Sequence, residues 1–263
     1  MMLRTEGGEM RVTPEEIAAF YRQAIWGGQY ETGSLLPRAV DVAEQFAADR
    51  KTVLDAYRQL AEEGLVEVKR RAGTVVTYKA PMRWLGAERY SRSRRARGVP
   101  AFAADREASG QPWRRTDQTP TVQRVAASPD VAAALSLPVG TEVIERARLV
   151  RDADGRPTQS LTSWYRVSEV ENTAIEMTTV GTAGAGGGYS VLDDLGLGPT
   201  AVTEELWPRM PLPGEAALLE LPSSVPVIDF TRWARHNDYV VEYARGLYVG
   251  PRFRWTYTVP IPD

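Results

Sequence analysis

"FAADRKTVLDAYRQLAEEGLVEVKRRAGTVV", residues 46–76, sets Asp-Arg-Lys-Thr at the head of an amphipathic helix and Lys-Arg-Arg between two valine-rich runs. Asp49 is a helix-capping residue, Val53, Ala56, Tyr57 and Leu60 recur at helical spacing, and Gly64 stops the turn. Leu65–Val68 and Thr74–Val76 then read as two strands joined by Lys69–Gly73. Upstream, Thr13-Pro14-Glu15-Glu16 predicts a helix start, with Thr13 as cap, Pro14 at the first helical position and Glu16 completing a capping box. Ile17, Phe20, Tyr21, Ala24 and Ile25 follow on one face, and Gly27-Gly28 ends that helix. Ser34-Leu35-Leu36 predicts a short strand. A second helix is expected from Arg38 to Ala47, burying Val40, Ala43 and Phe46 or Ala47.

Only Ala47-Ala48 separates that helix from the next, the spacing of a helix-turn-helix, and the hairpin after it makes the motif winged. In such a motif the start of the second helix enters the DNA major groove. Asp49, Arg50, Lys51 and Thr52 occupy that start, while Lys69, Arg70 and Arg71 sit at the hairpin tip that Gly73 closes. Arg50 suits a guanine edge, and Lys51 and the wing residues suit phosphates. Either segment alone reads better as a solvated charged end. Both at this spacing favour DNA.

Residues 27–76 resemble the DNA-binding domain of the GntR family of bacterial transcription regulators. Gly28, Tyr30, Gly33, Leu36-Pro37, Ala43, Phe46, Arg50, Thr52-Val53, Ala56, Leu60, Glu63-Gly64-Leu65 and Gly73-Thr74 carry the likeness in order. The departures are Arg38-Ala39 where the family has Ser-Glu, Asp49 where it has Ser, and Leu54 where it has arginine. Arg38 is therefore a further candidate DNA contact, replacing the one missing at Leu54.

Composition bounds the rest. The 263 residues suffice for two domains, and 43% hydrophobic with 25% charged residues is globular composition. No apolar run reaches membrane-spanning length and the start lacks a signal-peptide stretch, so a cytoplasmic location is expected. The absence of cysteine excludes disulfides and thiolate chemistry, and the lone His236 excludes a histidine metal cluster; no cofactor is expected. Residues 1–98 hold 17 basic against 13 acidic side chains and residues 99–263 hold 15 against 21. A basic front and acidic rear point to an anionic partner for the front alone.

"ERYSRSRRARG", residues 88–98, is polar and arginine-rich and reads as a linker or as a strand edge. The expected division is 10–78 for the winged helix-turn-helix, 79–98 for a linker and 99–263 for a second domain. There, strands are predicted at 121–126, 141–151, 158–166, 201–207, 226–235, 239–248 and 252–259, with helices at about 128–137, 189 onward and 213–220. Strands so often joined by hairpins imply an antiparallel sheet with helices on it, so the fold class is α+β.

This half resembles the UTRA domain, the effector-binding half of HutC-like GntR regulators, which shares its fold with chorismate lyase. "LSLPVGTEVIERARLVRDADGRPTQSLTSWY", "VTEELWPRMPLPGEAALLEL" and "PVIDFTRWARHNDYVVEYARGLYVGPRFRW" carry the likeness. It implies an effector pocket containing Arg146, Arg148, Ser160 or Ser163, Glu242 and Tyr248. Arg146 and Arg148 lie two apart on a strand and so share a face, as do Glu242 and Tyr248 six apart. Two guanidiniums suit a phosphate or carboxylate. They can equally pair with Glu142 or Glu145 on a wet sheet face. Gly186-Gly187-Gly188 before Tyr189 fails as a dinucleotide fingerprint because Tyr189 stands where the third glycine should fall. In the family that position begins a helix lining the pocket, which brings in Gly187, Gly188 and Tyr189; a surface loop is the alternative. Val249 and Pro251 replace the family's arginine and aspartate.

The resulting expectation is a dimeric, ligand-responsive transcription repressor that binds a double-stranded operator and a small anionic effector. The competing readings are a DNA-binding dimer whose rear domain has lost its ligand, and an enzyme on the chorismate-lyase-like fold. No Ser/His/Asp arrangement with a nucleophile turn supports the last.

Overall fold

The structure, a computed structural model, describes residues 12–70, 72–179 and 181–258. The chain divides into two compact units between Ala80 and Pro81.

In the front unit, Thr13 and Glu16 form the reciprocal capping box, so α1 (Pro14–Trp26) starts where the sequence places it. It packs with α2 (Ala39–Gln45) and α3 (Arg50–Glu62) around Ile17, Tyr21, Val42, Val53, Tyr57 and Leu60. The turn between α2 and α3 is short because Ala47 adopts a left-handed φ of 50°. The Tyr57 hydroxyl donates to the Pro37 carbonyl (2.8 Å) and pins the approach to α2. Val40, expected in the core, is 57% exposed, and Val42 is buried instead. β1 (Val66–Lys69) and β2 (Gly73–Val76) form the antiparallel wing. The strand expected at Ser34–Leu36 is a single bridge from Leu35 to Val75.

The rear unit begins inside the expected linker. β3 (Met82–Trp84), a 3-10 turn over Gly86–Tyr90 and α4 (Arg92–Ala96) all belong to it. Trp84 is fully buried against Phe230, Tyr248 and Phe253. The linker reading fails because Arg89 and Arg95 are buried, neutralised by Asp105 and Asp193. An arginine-rich run looks solvated until its distant carboxylates are known.

The chain continues through α5 (Ala101–Ala108), β4 (Gln118–Ala126), α6 (Pro129–Ala134), β5 (Glu142–Arg151), β6 (Pro157–Arg166) and α7 (Val167–Val170). It then forms α8 (Gly188–Asp194), β7 (Ala201–Arg209), α9 (Pro213–Leu218), β8 (Val227–His236), β9 (Tyr239–Val249) and β10 (Phe253–Trp255). Six strands make one antiparallel sheet in the order β4-β5-β6-β9-β8-β7. Of the strand expected at 252–259, residues 253–255 form β10, which pairs in parallel with β3 outside that sheet, and residue 259 lies outside the described residues.

On one face of the sheet, α7 and α8 cover Ile144, Tyr165 and Ala234, while the β3–β10 pair covers Leu161, Phe230 and Tyr248. On the other face, α6 packs on Val143 and Tyr243, and Leu219 of the turn after α9 packs on Val227 and Leu247. Among the described residues no helix is long and apolar enough to cross a membrane.

Candidate functional site

The basic end of the front unit is built from caps and turns. Asp49 accepts hydrogen bonds from the Thr52 amide (2.8 Å) and hydroxyl (3.0 Å), so both side chains hold the start of α3. These bonds also keep the Asp49 carboxyl below its ordinary range. Arg50, next in sequence, is exposed and makes no ion pair among the described residues. Lys51 and Arg58 both pair with Asp55, at 3.0 and 2.7 Å. Arg38 is largely exposed and pairs with Asp41 (3.2 Å) at the start of α2. On the wing, Lys69 pairs with Glu67 (3.3 Å) and Arg70 is exposed at the tip. Gly73 closes the turn at φ 93°, a conformation that other residues adopt with strain. Arg71 lies outside the described residues.

In the rear unit a cavity of about 80 Å³ lies on the sheet face beneath α8. Its floor is Arg148, Gln159, Leu161, Tyr165, Arg232, Glu242 and Tyr248; Arg89, Tyr90 and Arg95 wall it from one side, Gly186–Tyr189 from another. Glu242, 1% exposed, is its electrostatic centre. The carboxylate accepts from Ser163 Oγ (2.6 Å), Tyr165 OH (2.8 Å) and Arg232 Nη2 (2.9 Å). Burial alone would raise its pKa, but Arg232 and Arg148, with the hydrogen bonds from Ser163 and Tyr165, together hold it below the ordinary value. Arg148 donates to Ser163 Oγ and has no carboxylate within ion-pair distance among the described residues.

The remaining guanidiniums are compensated. Arg89 pairs with Asp105 (2.8 Å) and lies 3.4 Å above the centre of the Trp84 ring. Arg95 pairs with Asp193 (3.0 Å). Arg148 is thus the one guanidinium lining the cavity that has no ion-pair partner among the described residues. The buried hydroxyls of Tyr189 and Tyr248 have no hydrogen-bond partner among the described residues.

Of the residues expected at an effector pocket, Arg148, Glu242, Tyr248, Gly187, Gly188 and Tyr189 line this cavity, and Ser163 sits beneath it. Two residues do not. Arg146 shares the strand face but is buried at its far end, where it donates to the carbonyls of Ile175 (3.0 Å) and Met177 (2.7 Å). Burial and the neighbouring Arg148 push its pKa down to about 10, so it remains a cation tying down a loop. Ser160 lies on the opposite sheet face, beside Thr162 and Trp164, because it is an odd number of residues from Ser163. Nor do the arginines pair with Glu142 or Glu145: Glu142 meets Arg124, and Glu145 accepts from Gln123 and Trp164.

Arg89, Tyr90, Arg95 and Arg232 were missed. Arg232 alternates with Phe230 and Ala234 toward the core face, a signal readable in the β8 sequence. Arg89 and Arg95 carried no such signal. The glycine run is required here, since a Cβ on Gly186 would stand 2.5 Å from the Arg95 carbonyl oxygen. Val249 packs with Leu219, Val227 and Leu247 away from the cavity, so its departure from the family pattern leaves the site untouched. His236 contacts the Gly198 carbonyl, and no metal-binding cluster of His, Cys, Asp or Glu occurs among the described residues.

Comparison with known proteins agrees with this division. Residues 13–76 match the model for bacterial regulatory proteins of the gntR family, and residues 117–254 match the UTRA domain. An HTH-type transcriptional regulator of Streptomyces coelicolor is 44% identical over 250 residues, covering 94% of this chain and 93% of its own. Another, from Rhizobium meliloti, is 29% identical over 240 residues, 91% of each chain. The crystal structure of PhnF from Mycobacterium smegmatis superposes with a TM-score of 0.59 at 22% identity, covering 94% of this chain and all of that one. That likeness shows a shared fold. With a helix-turn-helix and a UTRA domain joined in one chain, and a close relative along nearly its whole length, the protein belongs to the GntR family and is a transcriptional regulator, not an enzyme.

Proposed function

We propose that the protein is a HutC-like, homodimeric repressor that binds an operator through α3 and the wing and leaves it when a small anion enters the rear cavity. Arg50 reads a base edge, while Arg38, Lys51, Lys69, Arg70 and Arg71 contact phosphates; Asp49, Thr52 and Gly73 act by shaping the helix start and the wing turn. The observation that carries the effector reading is Arg148, a guanidinium without an ion-pair partner among the described residues that lines a partly open cavity beside the Glu242 network. Tyr189 and Tyr248 supply hydroxyl donors for further acceptors on the ligand. The cavity, about 80 Å³, is several times the roughly 10–15 Å³ needed to admit a single water. That size fits a small carboxylate or phosphate compound.

Calorimetric titration of the full-length protein with a library of small metabolite anions tests this. Binding by wild type that Arg148→Ala abolishes is the expected result. Unchanged binding in the variant overturns the assignment.

A further inference from the structure

One stripe of α3 carries Arg50, Leu54 and Arg58, each four residues from the next. The core face of the same helix buries Val53, Ala56, Tyr57 and Leu60. Leu54 is 41% exposed. An isolated exposed leucine is ordinary on a protein surface, so exposure alone carries nothing. Its setting does. An arginine stands one turn to either side, and Lys51 lies three residues before it. The one carboxylate among residues 50–58, Asp55, is paired with Lys51 and Arg58, so no free acid next to Leu54 repels DNA.

We propose that Leu54 reads the 5-methyl group of a thymine in the major groove, about two base pairs from the base read by Arg50. The proposal rests on the reading of α3 as the DNA-contacting helix. Four helical residues advance about 6 Å, and two base steps advance about 6.8 Å, so the two side chains address different base pairs. Thymine shows the groove a methyl group and an acceptor, whereas cytosine shows a donor and no methyl. A leucine neither donates nor accepts. It gains only where it meets a methyl group and leaves the cytosine amino group unpaired.

The experiment starts from duplexes selected by the full-length protein from a random 30-base-pair library at one salt concentration. Each thymine of a selected duplex is then replaced by uracil, which removes the methyl group alone. For one thymine in each half-site, the replacement weakens wild-type binding about four-fold, the value of one buried methyl group. Leu54→Ala, which keeps the wild-type melting temperature because the side chain lies outside the core, binds both duplexes equally. Leu54→Arg selects guanine at that position.

If uracil is neutral at every thymine, or Leu54→Ala retains the same loss at the same thymine, the proposal is overturned while DNA recognition by α3 stands. Failure of the folded wild-type protein to enrich any duplex overturns the DNA-binding reading and this proposal with it.

Discussion

Glu242 and Arg146 are both buried charges, yet removing them has different consequences. Glu242→Ala leaves Arg232 buried without its counter-ion, a loss expected to cost about 3–5 kcal/mol of stability and measurable by urea unfolding. The folded-state pKa of Glu242 lies below its ordinary 4.5. Its stabilisation is therefore complete above the unfolded pKa and is lost as pH falls through the lower folded value. Unfolding followed from about pH 6 to about pH 3 should show a steeper decline in wild type than in Glu242→Gln; parallel curves would refute the assignment. At Arg148 the expectation is functional. Because it is half-buried and bonded mainly to Ser163, Arg148→Ala should keep the fold and operator affinity while losing the response to effector. A fall in melting temperature together with effector-free DNA binding would make Arg148 structural instead.

At the scale of elements, the turn between α2 and α3 and the wing hairpin carry separable expectations. Ala47 occupies a left-handed conformation that glycine adopts without strain, so Ala47→Gly should stabilise the protein by about 1 kcal/mol in thermal unfolding. A loss of stability would show that the Ala47 side chain contributes packing that outweighs the strain. Arg50→Ala should cost about 1–3 kcal/mol of operator binding and relax preference at one base pair. Arg70→Ala should weaken all sequences alike and reduce the salt slope by about one phosphate contact. Binding titrations on operator and scrambled duplexes at several salt concentrations separate the two patterns. The reverse assignment, uniform loss from Arg50→Ala, would place Arg50 on the backbone.

For the molecule as a whole, repression with release requires that effector and operator each lower the other's affinity by the same factor, typically about 1–3 kcal/mol. A two-fold dimer also predicts a near-palindromic operator whose half-site centres lie one helical turn or a multiple apart, and footprinting reads that spacing. A single unsymmetrical half-site would exclude the dimeric mode.

The two units differ in how far the sequence determined them, and the reason is the range of their interactions. Capping at Thr13 and Asp49, apolar spacing along α3 and the Lys69–Gly73 turn are decided within a few residues, so the winged helix-turn-helix was readable along the chain. Strand alternation likewise paired Arg146 with Arg148 on one face and Glu242 with Tyr248 on one face, but that both pairs share the same sheet face comes from the strand pairing. Face membership does not say what covers a face. Arg146 and Arg148 share a strand face, but the carbonyls of Ile175 and Met177 occupy one guanidinium and a cavity receives the other. Arg89 and Arg95 became buried cavity walls because Asp105 and Asp193, 16 and 98 residues away, neutralise them. Burying a charge is tolerable only beside its partner. Local sequence therefore determined which side chains the chain offers, and the tertiary pairing of distant charges decided that Arg148 alone of the cavity arginines has no ion-pair partner among the described residues.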